Sequence, residues 1–446
     1  MSNENTTPQA CLSLGLEIAL RGHQLVYSPL YGIVMSVSSL RPCRIMHSKL
    51  LLNDIKLHHA LGDIYDARIL DIAVHICAAC VLIAFLWDEG RFANAAETVK
   101  AICDKGFHLN LWEHAFTHPT APIYHDLIPY SGDYLVWNGL VPDFTLPEAR
   151  RIFADHQRKL VDMGVSGFKL DECDGSDFTG GWTFPNCASF PSGMDGEQYH
   201  SLFGTLYAQT LMQALGDRRT LSEVRNLGAL AASYPFALYS DLYGHEDFIT
   251  GVVNAGFSGL LWSPEVRHAQ DAQDLIRRVQ TVVFSPQALV NAFYLSEMPW
   301  EMHNCTDEIR ALFEIRMALL PYLYTMFYDY HTSGKPPVRA LVCDYQDEAP
   351  ALDCKNEYLF GDAMLVAPII APARERDVWL PHGVWYDFFT GQRYEGGTHH
   401  VVTDNIPVFV KEGTLLPLAA HFRYNNPPRR GSAAPVLPGP PPAHTG

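Results

Sequence analysis

The chain is short of positive charge: among its 446 residues, 32 Lys and Arg stand against 49 Asp and Glu, a formal net charge of −17. Proteins that bind nucleic acid or anionic membrane surfaces need clustered cations, so both partner classes are excluded and a neutral substrate fits better. The opening "MSNENTTPQA" lacks a basic stretch followed by an apolar one. No leader is read there, and a cytoplasmic location is expected. A charge-free apolar span is missing too, because "ILDIAVHICAACVLIAFLW" carries Asp71 and His75. An Asp near the centre of a spanning helix costs roughly 2.5–3.5 kcal/mol, so this run reads as buried strand or helix. The ten cysteines are scattered without the dense spacing of a disulfide scaffold. Cys77 and Cys80 have the spacing of a redox or zinc half-site, but no second pair or paired His follows, and no metal site is expected.

Aromatic residues are well supplied, at 12% with 8 Trp and 21 Tyr. They suit a protein that stacks on the flat faces of sugars, and they also fill large cores. Residues 1–80 show no clean period and form a segment of unclear fold. From there strand and helix patterns alternate. "LIAFLW" reads as strand, "AAETVKAICDKG" as helix, "FHLNLWEH" as strand, and "LPEARRIFADHQRKLVDMG" as a helix opened by Pro and closed by Gly. Then follow the strand "VSGFKL", the helix "EQYHSLFGTLYAQTLMQALGD", the strand "RTLSEV", the helix "HEDFITGVVNAG", the strand "FSGLLW" and the helix "AQDLIRRVQTVV". This rhythm predicts βα units over 81–335, a parallel sheet that closes as a (β/α)8 barrel as the count approaches eight. Over 336–424 short runs rich in Val, Tyr, Phe and Trp between Pro and Gly turns predict an antiparallel β domain. The tail 425–446, "NNPPRRGSAAPVLPGPPPAHTG", has the composition of a disordered segment.

Two acidic stretches fall behind strands of the barrel region, where α/β folds build their sites. In "VSGFKLDECDGSDF", Asp171, Glu172, Asp174 and Asp177 crowd into seven residues directly after an apolar run. The plain alternative is a solvated acidic loop. In "SYPFALYSDLYGHEDF", Asp241 follows a run of aromatics expected to desolvate it, the setting that lifts a carboxyl toward general-acid duty. Two carboxylates on different strands, one ionised and one able to donate a proton, match the needs of glycoside hydrolysis.

Beyond these acids, "GFKLDECD", "VRNLGALAASYPFALYSD", "GFSGLLW", "EMPWE", "RMALLPYLYTMFYDYHTSGKPPVRAL", "YLFGDAMLVAPII", "VWLPHGVWYDFFTG" and "IPVFVKEGTLLP" occur in one order across two domains. Together they resemble glycoside hydrolase family 31, the family of α-glucosidases and α-xylosidases, from about residue 84 to about 420. The resemblance implies a TIM-type barrel, incomplete at its first strands, followed by a β-sandwich at 336–424. It further implies a retaining α-glycosidase that needs neither metal nor organic cofactor and takes an oligosaccharide or glycoside. On matching positions it assigns Asp171 as nucleophile, Asp241 as general acid and base, and Arg225, at 241 − 225 = 16 residues ahead of that acid, as a sugar-binding or nucleophile-orienting group.

Trp112 and Glu113 at the end of "FHLNLWEH", Glu172 beside the nucleophile, and Trp182 in a Gly-rich loop are the further substrate-binding candidates. His245 and Glu246 are expected to cap the helix after Asp241. Glu265 and Arg267 stand where many relatives carry a sugar-binding aspartate, and "LVNAFY" stands where many have a histidine. Relatives also carry an N-terminal β-sandwich that residues 1–80 do not resemble, and Asp88 is the nearest aspartate to the end of the early barrel strand. A second reading is therefore a truncated, catalytically inactive carbohydrate-binding homologue.

Overall fold

The computed structural model describes residues 92–419 except 106, 178–180, 221, 229–230 and 292–296, together with 85–87 and two strands at Val34–Val37 and Ile72–Ile76. Asp88, Cys77, Cys80, the rest of 1–80, the second half of "LVNAFY" and the tail 425–446 lie outside the described residues. Two units divide the chain: the first holds residues 34–239, the second 240–290 and 297–446, with short flanking pieces assigned to each.

The first unit is built on parallel strands that sit side by side in chain order: β1 (Val34–Val37), β2 (Ile72–Ile76), β3 (Phe107–His114), then, past a hairpin of β4 (Ser131–Val136) and β5 (Gly139–Pro142), β6 (Gly167–Asp171), β7 (Ser222–Val224) and β8 (Phe236–Leu238). Parallel neighbours need crossovers, and helices supply those from β2 to β3, β3 to β6 and β6 to β7. The helix α1 (Ala95–Cys103) starts where the Asn94 side chain accepts from Glu97 N at 3.2 Å. Helix α2 (Pro147–Met163) has Pro in its first turn and stops at Gly164, whose φ of +121° suits a residue without Cβ. A Cβ there would also stand 3.0 Å from Val99 of α1. Helix α3 (Gly196–Leu215) is capped by Asp195, which accepts from Gln198 N at 2.8 Å. Gly204 brings α3 against the loop after β7, since a Cβ at 204 would strike the Asn226 carbonyl oxygen.

The core between these helices and the strands is aromatic. Phe144, Phe153, Phe203 and Tyr207 are buried and meet ring to ring, with Phe144 stacked on Tyr207 at 5.7 Å between centroids. Each such side chain contributes roughly 1.5–3 kcal/mol by leaving water. Phe85–Trp87, expected in a strand, are not in one: Phe85 sits at φ +52° and packs edge-on against Phe153 at 5.2 Å. The strand that pairs with β3 is β2, further back in the same apolar run.

The second unit opens with α4 (His245–Ala255), then the parallel pair of β9 (Glu265–Val266) and β10 (Leu289–Asn291) with α5 (Ala272–Val283) between them. The strand expected over "FSGLLW" is displaced into β9. Gly256–Ser258 instead form a 3-10 turn ended by Gly259 at φ +67°, and Trp262 packs on α4, where a Cβ at Gly251 would stand 2.7 Å from its ring. Among the described residues eight parallel strands make up this sheet, and helices α1, α2, α3, α4 and α5 follow β2, β3, β6, β8 and β9 in the manner of the (β/α)8 plan. Helices α6 (Thr306–Ala318) and α7 (Leu320–Ser333) lead into β11 (Val338–Ala340), β12 (Tyr358–Phe360), β13 (Met364–Val366), β14 (Glu375–Asp387), β15 (Arg393–Val402) and β16 (Val408–Lys411), an antiparallel sheet ordered β11-β12-β13-β16-β14-β15. Its core includes Leu359, Leu365, Val378, Leu380, Trp385 and Phe409.

Two buried polar groups set measurable stabilities. Arg316 of α6 is fully buried and donates to the carbonyls of Val283 (2.8 Å), Ser285 (2.7 Å) and Pro286 (2.9 Å), tying the end of α5 to the approach to β10. Replacing Arg316 by Met keeps much of its bulk and strands those carbonyls, so urea melts should show a loss of about 2–4 kcal/mol. In the first unit, Glu113 accepts a hydrogen bond from Tyr207 at 2.8 Å, and burial raises its carboxyl to about 8. A buried acid whose folded pKa is raised stabilises the fold below its unfolded value near 4.5, and that contribution fades as pH rises through the folded pKa. Glu113→Gln should therefore flatten the loss of stability from pH 5 to 8 and gain on the order of 2 kcal/mol near pH 7, read from denaturation midpoints across that range.

Candidate functional site

The apolar strand β6 delivers Asp171 at its carboxyl end, and all five residues of the strand are buried. Its neighbours β3 and β7 supply the surroundings. Trp112 Nε1 donates to Asp171 Oδ2 at 2.6 Å. On the other oxygen, the Glu172 backbone N–H donates at 2.8 Å and the Arg225 guanidinium stands 3.2 Å away. Directly after this carboxylate, Glu172 adopts φ +57°. A left-handed non-glycine residue costs roughly 1–2 kcal/mol, and such strain concentrates at functional sites.

Arg225 also reaches Asp174 Oδ2 through Nε at 3.1 Å, so one guanidinium is shared by two carboxylates. Tyr239, fully buried, donates to the Leu170 carbonyl at 3.2 Å and presents its ring to the Lys169 ammonium at 4.1 Å and the Arg225 guanidinium at 5.8 Å. The fourth acid of the crowded stretch is a loop tie, since Asp177 accepts from Asn186 N at 2.7 Å. Glu172 itself is half-buried.

The other candidates of this unit separate. Glu113, expected at the substrate, faces the opposite side of β3 from Trp112 and is buried against Tyr207 of α3. Alternation along the strand forces this: if Trp112 serves Asp171, its neighbour cannot. Trp182 is 56% exposed. It meets Trp137 edge-on at 5.5 Å, Trp137 meets His114 at 5.1 Å, and His114 meets Trp112 at 5.6 Å. An aromatic path thus leads from the partner of Asp171 to an exposed indole. Trp137 was not singled out from the sequence. It occupies the turn between β4 and β5 with Asn138, at φ +48° and +62°, and the signal that marks it is "WNG", an Asn-Gly hairpin turn. His114 accepts from Phe116 N at 3.2 Å, and burial pushes its imidazole down to about 3, so it acts as a neutral ring.

In the second unit Asp241 is exposed, so the aromatics ahead of it do not enclose it; Tyr239 of that run belongs to the surroundings of Asp171 instead. Tyr243 donates to Asp241 Oδ1 at 2.7 Å, and Arg267 donates to the Tyr243 oxygen at 2.9 Å. The expected capping by His245 and Glu246 is replaced: Gly244 is the N-cap of α4 and offers no side chain. His245 is buried, 2.7 Å from the Thr281 hydroxyl, and burial pushes it down to about 4. Glu265 is buried in β9. Among the described residues no group of three or more His, Cys, Asp or Glu is placed to hold a metal ion, and no helix is long and apolar enough to cross a membrane.

Comparison with known proteins matches these features. The family model for the glycosyl hydrolases family 31 TIM-barrel domain matches residues 48–326, and that for the family's C-terminal domain matches 334–416. An alpha-glucosidase 2 of Bacillus thermoamyloliquefaciens is 24% identical, covering 75% of this chain and 47% of its own length. An alpha-xylosidase of Emericella nidulans is 23% identical over 75% of this chain and 46% of its own. The chain thus spans about half the length of these curated relatives. Among solved structures, a GH31 dextranase of Flavobacterium johnsoniae superposes with a TM-score of 0.75 at 20% identity, covering 92% of this chain and 56% of that one. With the barrel model alone matching well over half of its residues, the chain belongs to glycoside hydrolase family 31.

Proposed function

We propose that the chain is a retaining α-glycosidase that releases terminal α-linked sugars, an α-glucoside or α-xyloside, from an oligosaccharide or glycoside. The observation that carries this reading is the Asp171 carboxylate, placed at the end of a buried barrel strand and oriented by Trp112, Arg225 and the Glu172 backbone. A nucleophilic carboxylate must keep one oxygen aimed at the anomeric carbon, and donors on both oxygens hold it so.

In this reading Asp241 protonates the departing oxygen while Asp171 attacks, forming a glycosyl ester. Asp241, now a carboxylate, takes a proton from water, and that water displaces Asp171 with the α configuration kept. The barrel carrying both acids is assigned to residues 81–335, followed in the chain by 336–424 as the β-sandwich. In this reading Trp182, exposed at the end of the aromatic path, stacks on a sugar face. A sugar-binding chain without turnover is the second reading. It is motivated by residues 1–80, which do not resemble the family's N-terminal β-sandwich and first barrel strands.

Release of p-nitrophenol from α-glucoside, α-xyloside and α-galactoside substrates separates the two. Asp171→Ala should lower kcat by roughly a thousandfold or more with the fold intact by circular dichroism. An unchanged rate in that variant would remove Asp171 from the mechanism, and a folded wild-type chain that turns over none of the three would favour the binding-only reading. Trp182→Ala should raise KM by roughly tenfold and leave kcat within about twofold, the loss of one stacking contact.

A further inference from the structure

Apart from the surroundings of Asp171, the first unit carries an open cavity of about 610 Å³, lined by α2 and by the segment that joins β3 to β4. That size lies within the range of small-molecule sites. Charge on its wall is balanced: Arg151 and Lys159 of α2 stand with Asp155 of the same helix and Asp126 of the joining segment. Arg151 and Asp155 are 3.5 Å apart. Tyr130 and His125 add rings, and Ile123 and Ile152 add apolar surface.

The informative member of this wall is His156. It is 6% exposed, whereas Arg151, Asp155 and Lys159 around it on α2 are exposed, so its ring belongs to the floor. Its Nε2 lies 3.1 Å from the Phe85 carbonyl oxygen. A carbonyl can only accept, so Nε2 carries the proton. Burial, aided by the Lys159 charge, pushes the imidazole down, and a neutral ring protonated at Nε2 leaves Nδ1 as a bare acceptor. Among the described residues Nδ1 has no hydrogen-bond partner. A buried acceptor left open costs roughly 1–3 kcal/mol, which a guest bearing a hydroxyl would recover.

We propose that this cavity is a second saccharide site, separate from that of Asp171, in which a sugar hydroxyl donates to His156 Nδ1 and the charged rim meets the neighbouring hydroxyls. The wall decides the class of guest. A phosphate or other anion calls for net positive charge, which the two carboxylates cancel. An apolar guest would strand the charged rim. A neutral polyol accepts from the guanidinium and the ammonium and donates to the carboxylates and to Nδ1, so each group keeps the role its chemistry allows. This choice rests on the wall of the cavity and not on the reading of Asp171 as a nucleophile.

Maltotriose, titrated into the Asp171→Ala chain labelled with nitrogen-15 at histidine, tests the site. His156 is identified by the signals lost in His156→Gln. The sugar should move the Nδ1 resonance upfield, toward that of a nitrogen accepting a hydrogen bond, along a saturable curve. Arg151→Ala, a substitution on the exposed rim, should weaken that curve by roughly tenfold, the loss of one hydrogen bond from a charged donor. A His156 signal that maltotriose leaves in place overturns the proposal, whether the nitrogen already holds an ordered water or the cavity takes no guest. A response to inorganic phosphate in place of the sugar overturns it too, as does a sugar response indifferent to Arg151→Ala. None of these readouts needs turnover: a wild-type chain that hydrolyses no glycoside yet shows the His156 response loses the glycosidase reading and keeps this site.

Discussion

The register between β3 and β6 decides what the site in the first unit can be. Trp112 pairs with Lys169 and His114 with Asp171 in a parallel ladder, so these four side chains share one face of the sheet. A slip of one residue would send the whole set to the other face and bring Glu113 and Leu170 in its place. The register is held from the helix side, where Leu109, Leu111 and Leu170 are fully buried and Glu113 meets Tyr207 of α3. The chemistry of one face thus depends on the packing of the other.

The second unit relies on a different device, arginines that gather carbonyl oxygens. Arg277 of α5 donates to the carbonyls of Thr403, Asp404 and Asn405 just before β16, and Arg316 does the same for the chain between α5 and β10. In the antiparallel sheet, Arg376 pairs with buried Glu357 at 3.0 Å, which also accepts from Trp379 N at 3.1 Å. Loop carbonyls that no ladder can satisfy are costly when buried, and a planar fork with five donors satisfies several at once. The hydrophobic pattern does not announce such residues, since each looks like a surface cation within its helix or strand.

How much was legible in the chain follows the range of the interaction. The strand "FHLNLWEH" and the helix "AQDLIRRVQTVV" coincide with Phe107–His114 and Ala272–Val283, because period and caps are local. "FSGLLW" misled, because its apolar residues serve a turn and a helix contact rather than a ladder. Asp171 and Arg225 were readable as chemistry, and the structure brings them together. Glu113 was misplaced for want of strand phase. Trp137, Tyr239 and Tyr243 were not readable as site residues, because nothing in an aromatic's own neighbourhood states which carboxylate or ring it will meet across the fold.

Gly204 shows how far such a site extends. It lies in the middle of α3, where alanine would raise helix propensity by about 1 kcal/mol. Yet the helix rests with this position directly on the Asn226 carbonyl, one residue from the guanidinium shared by Asp171 and Asp174. Any added carbon must push the helix or that loop aside. Position 204 is thereby a fulcrum: local preference and the aim of Arg225 pull in opposite directions, and a change that strengthens the helix would be felt as a misdirected charge on the far side of the sheet.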